Sequence, residues 1–164
     1  MLTIRKARVE DLGTITEIYN EAILQTVSTF DTQPKTIKEQ TTWFADHDAK
    51  HPILVADCDG HVAGWASLSK WSDRCAYSDT AEVSLYVKKE HRGRGIGRKL
   101  MKALIEEGQK NSLHTLIVRI SESNEPSIKL FKDEGFELVG VMKEVGRKFG
   151  RLLDVYMMQK ILDK

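Results

Sequence analysis

The stretch that decides the fold runs from Glu82 to Leu100 and reads EVSLYVKKEHRGRGIGRKL. Its first part places apolar residues at every second position (Val83, Leu85 and Val87), which is typical of a β-strand. A glycine-rich segment follows at 92–97, and a helical pattern begins directly after it. The stretch therefore predicts a strand, a tight turn and a helix in immediate succession.

A glycine-rich turn at the start of a helix is suited to binding phosphate. The first backbone N–H groups of a helix have no partner within the helix, and the helix dipole places positive partial charge there. Glycine permits the tight turn and, because it has no Cβ, leaves room for phosphate oxygens. The arginines add charge that does not titrate near neutral pH. The predicted phosphate-binding residues are Arg92, Gly93, Arg94, Gly95, Ile96, Gly97 and Arg98.

The glycine spacing excludes two common phosphate-binding motifs. A P-loop requires Gly-x4-Gly-Lys-Ser/Thr, whereas the residues after Gly97 offer no hydroxyl group for magnesium. A dinucleotide fingerprint requires Gly-x-Gly-x-x-Gly, whereas the glycines here lie two residues apart. The turn instead resembles the acyl-CoA pyrophosphate loop of the GNAT acetyltransferases, Gln/Arg-x-x-Gly-x-Gly/Ala, which Arg92, Gly95 and Gly97 match in full.

The resemblance covers nearly the whole chain and is closest to one branch of that family, the phosphinothricin and methionine-sulfoximine N-acetyltransferases. It implies acetyl-CoA as cofactor, direct attack by the acceptor amine in a ternary complex, and a homodimer. The segments that carry it are Ile18-Tyr19-Asn20, Ser28-Thr29-Phe30, Trp71 with Arg74-Cys75-Ala76-Tyr77, Thr80-Ala81-Glu82-Val83 and Lys148-Phe149-Gly150-Arg151.

Composition limits the class of protein. The 164 residues have room for one core, so we expect a single domain over 1–164. The 25 basic residues nearly balance the 24 acidic ones, which argues against a general nucleic-acid or membrane binder. Cys58 and Cys75 have neither metal-ligand nor redox spacing, so no metal is expected. Without a leader-like or membrane-length apolar segment, a cytoplasmic location is expected.

The residue patterns predict an α/β fold with a mixed, mostly antiparallel sheet of six or seven strands and about four helices. The Asp59-Gly60 pair predicts a hairpin turn, and Thr36 with Glu39 predicts a helix-opening capping box. Strands are expected at 2–6, 53–56, 62–69, 80–88, 115–120, 136–142 and 153–160, and helices at about 12–23, 36–48, 96–110 and 125–134.

Glu82 is the predicted catalytic base. Acyl transfer to an amine requires the neutral amine, so a base must take a proton from the more basic acceptors. Glu82 begins the strand that meets the glycine turn, and it resembles the glutamate with this role in the phosphinothricin branch. A glutamate held in a salt bridge at the end of a strand is the alternative interpretation.

Further cofactor contacts follow from the same resemblance. Backbone groups of Leu85, Tyr86 and Val87 would pair with the pantetheine arm, and one of their N–H groups would polarise the thioester carbonyl. Asn124 and Ser127 open the helix that flanks the pantetheine in the family. Helix capping is the alternative role for Asn124.

Phe131 departs from the family pattern. Many members place a tyrosine here, which protonates the departing thiolate, and the phosphinothricin enzymes tend to place a histidine. Phenylalanine can do neither, although a thiol is acidic enough for water or the acceptor's own ammonium proton to suffice. The general acid is therefore unassigned, and phosphinothricin itself is less favoured as the acceptor.

The predicted acceptor site combines apolar walls with one arginine. Arg74 would pair with a carboxylate or phosphinate in forked geometry. Ordinary core packing is the alternative for the aromatic members, and an exposed hairpin is expected for Arg147 and Lys148. The predicted acceptor-binding residues are Phe30, Trp71, Arg74, Tyr77 and Thr80.

Three functions are compared. The first is acetyl-CoA-dependent N-acetylation of a small amino acid or analogue, of the phosphinothricin or methionine sulfoximine and sulfone type. The second keeps the cofactor and takes a protein N-terminus, an aminoglycoside or a polyamine, although the sequence has no acidic run to bind a cationic acceptor. The third, a nucleic-acid-binding module, is disfavoured by the near-neutral charge and the lack of aromatic residues in the loop.

Overall fold

The computed structural model describes residues 1–162, which form seven β-strands and four α-helices. The strands are β1 (Leu2–Lys6), β2 (Ile53–Cys58), β3 (His61–Lys70), β4 (Thr80–Val87), β5 (Thr115–Ser121), β6 (Glu137–Lys148) and β7 (Arg151–Ile161). The helices are α1 (Leu12–Gln25), α2 (Ile37–Ala45), α3 (Ile96–Lys110) and α4 (Glu125–Asp133). The predicted mixed α/β class is confirmed.

The strands form one sheet in the order β1-β2-β3-β4-β5-β7-β6. Every neighbouring pair is antiparallel except β4 and β5, which are parallel and joined through α3. Parallel neighbours require a crossover, and here the glycine turn and α3 supply it. The predicted mostly antiparallel sheet with one crossover is therefore confirmed.

The sheet opens at its centre. The pairing between β4 and β5 covers only three residues of each strand and ends at Glu82 and Ile117. Beyond that point β4 stays paired with β3, and β5 stays paired with β7. The two strands therefore diverge, and their facing backbone edges border a gap that lies beside the glycine turn.

Helices cover both faces of the sheet. On one face α3 and α4 pack on a core that includes Leu100, Leu104 and Phe131. On the other face α1 and α2 pack around Trp65, with Ile15 and Ile18 from α1. The alternation of β3 side chains explains the two cores, because neighbouring strand residues point to opposite faces. None of the helices in residues 1–162 combines the length and apolarity needed to span a membrane.

Two boundary predictions are wrong. Helix α2 ends at Ala45, three residues before the predicted end. The hairpin of β6 and β7 is much longer than predicted, because the strands continue to a turn at Phe149 and Gly150, whose φ angles are +52° and +73°. The sequence did not predict this part of β6 because the residues before the turn are mostly polar. The strand is also irregular there, with a shift in its pairing between Met142 and Gly146.

Candidate active site

A cavity of about 920 Å³ lies between the diverging strands. Its walls come from β4, β5, the glycine turn, the start of α4 and the loop after α1. Twelve of the predicted site residues line it: Phe30, Glu82, Leu85, Tyr86, Val87, Arg92, Gly93, Gly95, Ile96, Gly97, Asn124 and Ser127. The structure thus brings the predicted base, the phosphate turn and one acceptor aromatic to the same cavity.

The glycine turn leaves backbone donors free at the start of α3. Gly95 caps the helix with a φ of +78°, in the left-handed region that favours glycine, and Gly93 has the same φ. The amide of Lys99 donates to the Gly95 carbonyl at 3.1 Å, which makes it the first intrahelical bond. The three preceding amides, at 96–98, therefore have no partner within the helix. This arrangement suits an anion such as a diphosphate.

The arginines of the turn have different partners. The Arg92 Nε atom donates to the Val87 carbonyl at 3.2 Å, which keeps its guanidinium at the gap. The Arg98 guanidinium instead donates to Asp133 and Glu134, both at 3.0 Å. These carboxylates raise the pKa of Arg98 and offset its charge. The prediction for Arg98 is therefore corrected to its backbone N–H alone, and Arg94 lies outside the cavity wall.

Backbone groups of β4 point into the gap at alternate positions. The amide of Lys88 donates to Ala63 of β3 at 2.8 Å, so in the antiparallel register Tyr86 is also hydrogen-bonded to β3. The N–H and C=O groups of Val83, Leu85 and Val87 must then face the gap. This register does not support the expectation that backbone groups of Tyr86 bind the pantetheine arm, although Tyr86 lines the cavity.

Glu82 lies at the point where the strands part and is held by Arg119 of β5. The Arg119 Nε and Nη2 atoms donate to the two carboxylate oxygens at 2.6 and 2.9 Å. The Trp71 ring lies against the same guanidinium, 5.5 Å from its carbon to the ring centroid. The Glu82 carboxylate raises the pKa of Arg119. The salt bridge considered as the alternative for Glu82 is thus present, and it lies inside the cavity.

The ion pair does not use up the carboxylate. A carboxylate has about four lone-pair positions, and the two bonds from Arg119 occupy two of them. The Glu82 side chain also keeps 21% of its surface exposed. A proton from a bound ligand can therefore still reach Glu82.

The loop between α1 and α2 forms the far wall of the cavity and is fixed by polar contacts. The Tyr19 hydroxyl is 3.0 Å from Thr29 Oγ1 and donates to the Asp31 carboxylate. Lys148, near the end of β6, is buried and donates to the Thr29 carbonyl at 2.8 Å. Burial lowers the pKa of Lys148. The expectation of an exposed Lys148 is therefore wrong, because this side chain ties the hairpin to the loop.

Phe30 on this loop rests against Gly146 of β6, where an added Cβ would collide with the phenyl ring. We expect Gly146→Ala to displace Phe30 and to destabilise the protein by about 1–2 kcal/mol. Gly140→Ala is the matched control on the same strand, because its Cβ would meet no atom within 4 Å among the described residues. Thermal unfolding should show a lower midpoint for Gly146→Ala alone, and equal midpoints would contradict the Phe30 contact.

Ser121 is one of several polar residues that line the cavity without having been predicted, whereas Asn124 and Phe131 were already singled out from the sequence. Ser121, at the end of β5, is buried, and its Oγ atom has no hydrogen-bond partner in the described part of the chain. Asn124 opens α4 without capping it through its side chain, so this side chain stays available to a ligand. Phe131 packs edge-on against Phe136, with centroids 5.0 Å apart, and supplies only an apolar surface.

Two partly buried tyrosines, Tyr19 and Tyr86, also line the cavity. The two rings meet edge-on, with centroids 5.2 Å apart. Burial raises the pKa of Tyr86 to about 12 and also raises the pKa of Tyr19. Both phenols therefore stay neutral well above pH 7, and the single proton of the Tyr19 hydroxyl is donated to Asp31.

Four of the predicted acceptor residues lie outside the cavity wall in residues 1–162. Arg74 precedes a short 3-10 turn that ends at Tyr77, and both residues are exposed. Thr80 pairs with Thr115 before the strands diverge. In the described part of the chain, Trp71 contacts the site through the Arg119 guanidinium. The sequence could not show that these residues lie outside the cavity, because this depends on which end of β4 separates from β5. The segment 71–79 joins β4 at Thr80, where the two strands are still paired.

The site geometry agrees with comparisons to known proteins. A family model described as "Acetyltransferase (GNAT) domain" matches residues 4–157. An L-methionine sulfoximine/L-methionine sulfone acetyltransferase of Pseudomonas paraeruginosa is 41% identical over 164 residues, covering 98% of this chain and 95% of that protein.

Solved structures agree as well. A phosphinothricin acetyltransferase from Sinorhizobium meliloti, in complex with acetyl-CoA, has a TM-score of 0.95 and 37% identity, covering 98% of this chain and 88% of that one. A ribosomal-protein-alanine N-acetyltransferase from Brucella melitensis has a TM-score of 0.94 and 38% identity, covering 98% of this chain and 99% of that one.

Proposed function

The chain belongs to the GNAT acetyltransferase family, and on that premise we propose that it transfers acetyl from acetyl-CoA to the amino group of a small amino acid or analogue. One observation carries the proposal: the gap between β4 and β5 ends at the free amides of the glycine turn. A diphosphate suits the amides, and an extended amide chain suits the open strand edges.

Different groups of cavity residues would bind different parts of acetyl-CoA. The amides at 96–98 and the Arg92 guanidinium bind the diphosphate, and the backbone groups of Leu85 and Val87 hold the pantetheine arm. Bound acetyl-CoA supplies an activated thioester. An amide of β4 at the gap stabilises the negative charge that builds on the carbonyl oxygen. Ser127 and Asn124 flank the arm from α4.

Glu82 takes the proton that makes the acceptor nucleophilic. The ammonium group gives a proton to the carboxylate, and the freed lone pair forms the C–N bond as the C–S bond breaks. The electron pair leaves on sulfur, and the amine proton released after attack neutralises the thiolate. This route needs no side-chain acid at Phe131.

The acceptor class follows from charge and from relatives. Glu82 and Arg119 present one negative and one positive group to the cavity, which suits an acceptor with an amino group and an acidic group. The Pseudomonas paraeruginosa relative is named for methionine sulfoximine and methionine sulfone. The Brucella melitensis structure, named for a ribosomal protein alanine, represents the alternative acceptor, a protein N-terminus.

A two-stage experiment tests the proposal. Calorimetry should detect binding of acetyl-CoA, and thiol release should then be measured with methionine sulfone, methionine sulfoximine, phosphinothricin and the common amino acids. A peptide with N-terminal alanine and the polyamine spermidine are the contrasting acceptors. Faster release with the peptide or with spermidine would overturn the acceptor class, and absence of acetyl-CoA binding would overturn the function.

We further propose a cytoplasmic homodimer whose chains are each one domain over 1–164. The support for a dimer is β6, one of the two edge strands of the sheet, whose outer edge pairs with no other strand in the described part of the chain. Its exposed apolar residues include Leu138, Val139 and Val145, each at least half exposed. A second copy of the chain would cover both the edge and these side chains.

We expect Val139→Lys to convert the dimer to a monomer, because a charge would have to be buried against the partner. Val9→Lys is the control, since Val9 is also exposed but belongs to a 3-10 turn before α1. Light scattering after gel filtration should give twice the chain mass for the wild type and the control. A single chain mass for the wild type would refute the dimer.

A further inference from the structure

The ion pair inside the cavity has a free side. Among the described residues, the Arg119 guanidinium donates hydrogen bonds only through Nε and Nη2, and both go to the Glu82 carboxylate. Trp71 covers one face of the guanidinium plane. The Nη1 atom therefore keeps its donors, and half of the Arg119 side chain is exposed. A planar guanidinium with free donors at one end can bind a carboxylate in forked geometry.

The other charged groups of the cavity are engaged elsewhere. Arg92 lies at the glycine turn and donates to Val87. The Asp31 carboxylate accepts the Tyr19 hydroxyl in the loop after α1. Within the described lining, Arg119 is thus the arginine beside Glu82, where the acceptor amino group must be placed to lose its proton.

We propose that Arg119 binds the α-carboxylate of the acceptor while Glu82 faces its amino group. The ion pair then recognises both charged groups of an α-amino acid. Glu82 and Arg119 are in direct contact. The ammonium and carboxylate groups of an α-amino acid are attached to one carbon, so they are close enough together to contact these two side chains at the same time. This inference rests on the proposed function. It replaces Arg74, which is exposed and outside the cavity wall.

The wild-type protein gives the first test. Rates of thiol release with L-methionine sulfone and with its α-carboxamide, which lacks only the carboxylate charge, give a ratio of kcat/KM values. We expect the acid to exceed the amide by about 10- to 100-fold, as for loss of a charge-assisted fork. The amide has the less basic amine, which by itself would favour the amide. The rates are therefore compared at a pH above the pKa of both amines, where both acceptors are neutral amines, and equal rates there would overturn the inference without any variant.

Variants assign the preference to a residue. Arg119→Met should remove the acid-to-amide ratio, mainly by raising KM for the acid, and Arg119→Lys should leave an intermediate ratio because it keeps the charge without the fork. Equal losses for acid and amide would show that Arg119 merely supports Glu82. Loss of the ratio in Arg74→Met would restore Arg74 as the carboxylate-binding residue. Either result would overturn the inference.

The failure of this inference is distinguishable from failure of the proposed function. A protein that binds acetyl-CoA and acetylates acid and amide equally is still an N-acetyltransferase, and only the role of Arg119 is lost. A protein that releases no thiol with any amine fails both proposals.

Discussion

Gly95→Val should weaken acetyl-CoA binding by about 100-fold or more. Gly95 has a φ of +78°, a region that a β-branched residue adopts only with strain of about 1–3 kcal/mol. The helix start must shift to relieve this strain, and the amides at 96–98 then lose their common direction. In the described residues an added Cβ would meet no atom within 4 Å, so the effect comes from the backbone and from the space that a diphosphate needs. Calorimetric titration with acetyl-CoA measures the loss.

Gly60→Val separates binding from general strain. Gly60 has a φ of +91° in the turn between β2 and β3, its added Cβ would also meet no atom within 4 Å in residues 1–162, and it does not line the cavity. Both variants should unfold at lower temperature than the wild type, and only Gly95→Val should lose acetyl-CoA binding. Unchanged affinity in Gly95→Val, or equal loss in both, would contradict the assignment of the glycine turn.

The strand, turn and helix at 82–100 could be predicted from sequence because local rules determine all three. Alternation marks β4, glycine at positive φ marks the turn, and helical spacing marks α3. The hairpin turn at Asp59 and Gly60 is confirmed for the same reason, with φ values of +52° and +91°. Features that depend only on residues close together in the chain can thus be predicted before the fold is known.

The partner of Glu82 could not be predicted, because it depends on strand order. Arg119 is 37 residues away and reaches Glu82 only since β4 and β5 are parallel neighbours with Glu82 opposite Ile117. Within its own strand Arg119 reads as an exposed charge among apolar residues. A charged residue near the end of the strand after the crossover was the one available signal.

The burial of Lys148 could not be predicted either, because it also depends on residues distant in sequence. Its position in a basic hairpin segment suggested exposure, whereas the long β6 carries it under the loop that holds Thr29. The two residues are 119 positions apart, so their contact depends on how the folded chain places β6 beside this loop. Burial of a lysine therefore followed from topology and not from local pattern.

Glu82→Gln should lower kcat at neutral pH by about 100- to 1,000-fold while leaving acetyl-CoA binding unchanged, because the variant removes a proton acceptor. Glutamine keeps the side-chain length and can still accept a hydrogen bond from Arg119, so the cavity wall is retained. Glu106→Gln is the control, since Glu106 is exposed on α3 and does not line the cavity. Thiol release measures kcat, and calorimetry measures acetyl-CoA affinity.

The pH dependence decides whether Glu82 acts as the base or only binds the acceptor. Without a base, the rate follows the fraction of neutral amine, which rises about tenfold per pH unit below the pKa of the amine. The deficit of Glu82→Gln should therefore shrink as pH increases towards that pKa. A deficit that stays constant across this range would instead mean that Glu82 only binds the ammonium group. A loss expressed in the acceptor KM, with kcat intact, would lead to the same conclusion, and then the proton would have to leave through another route.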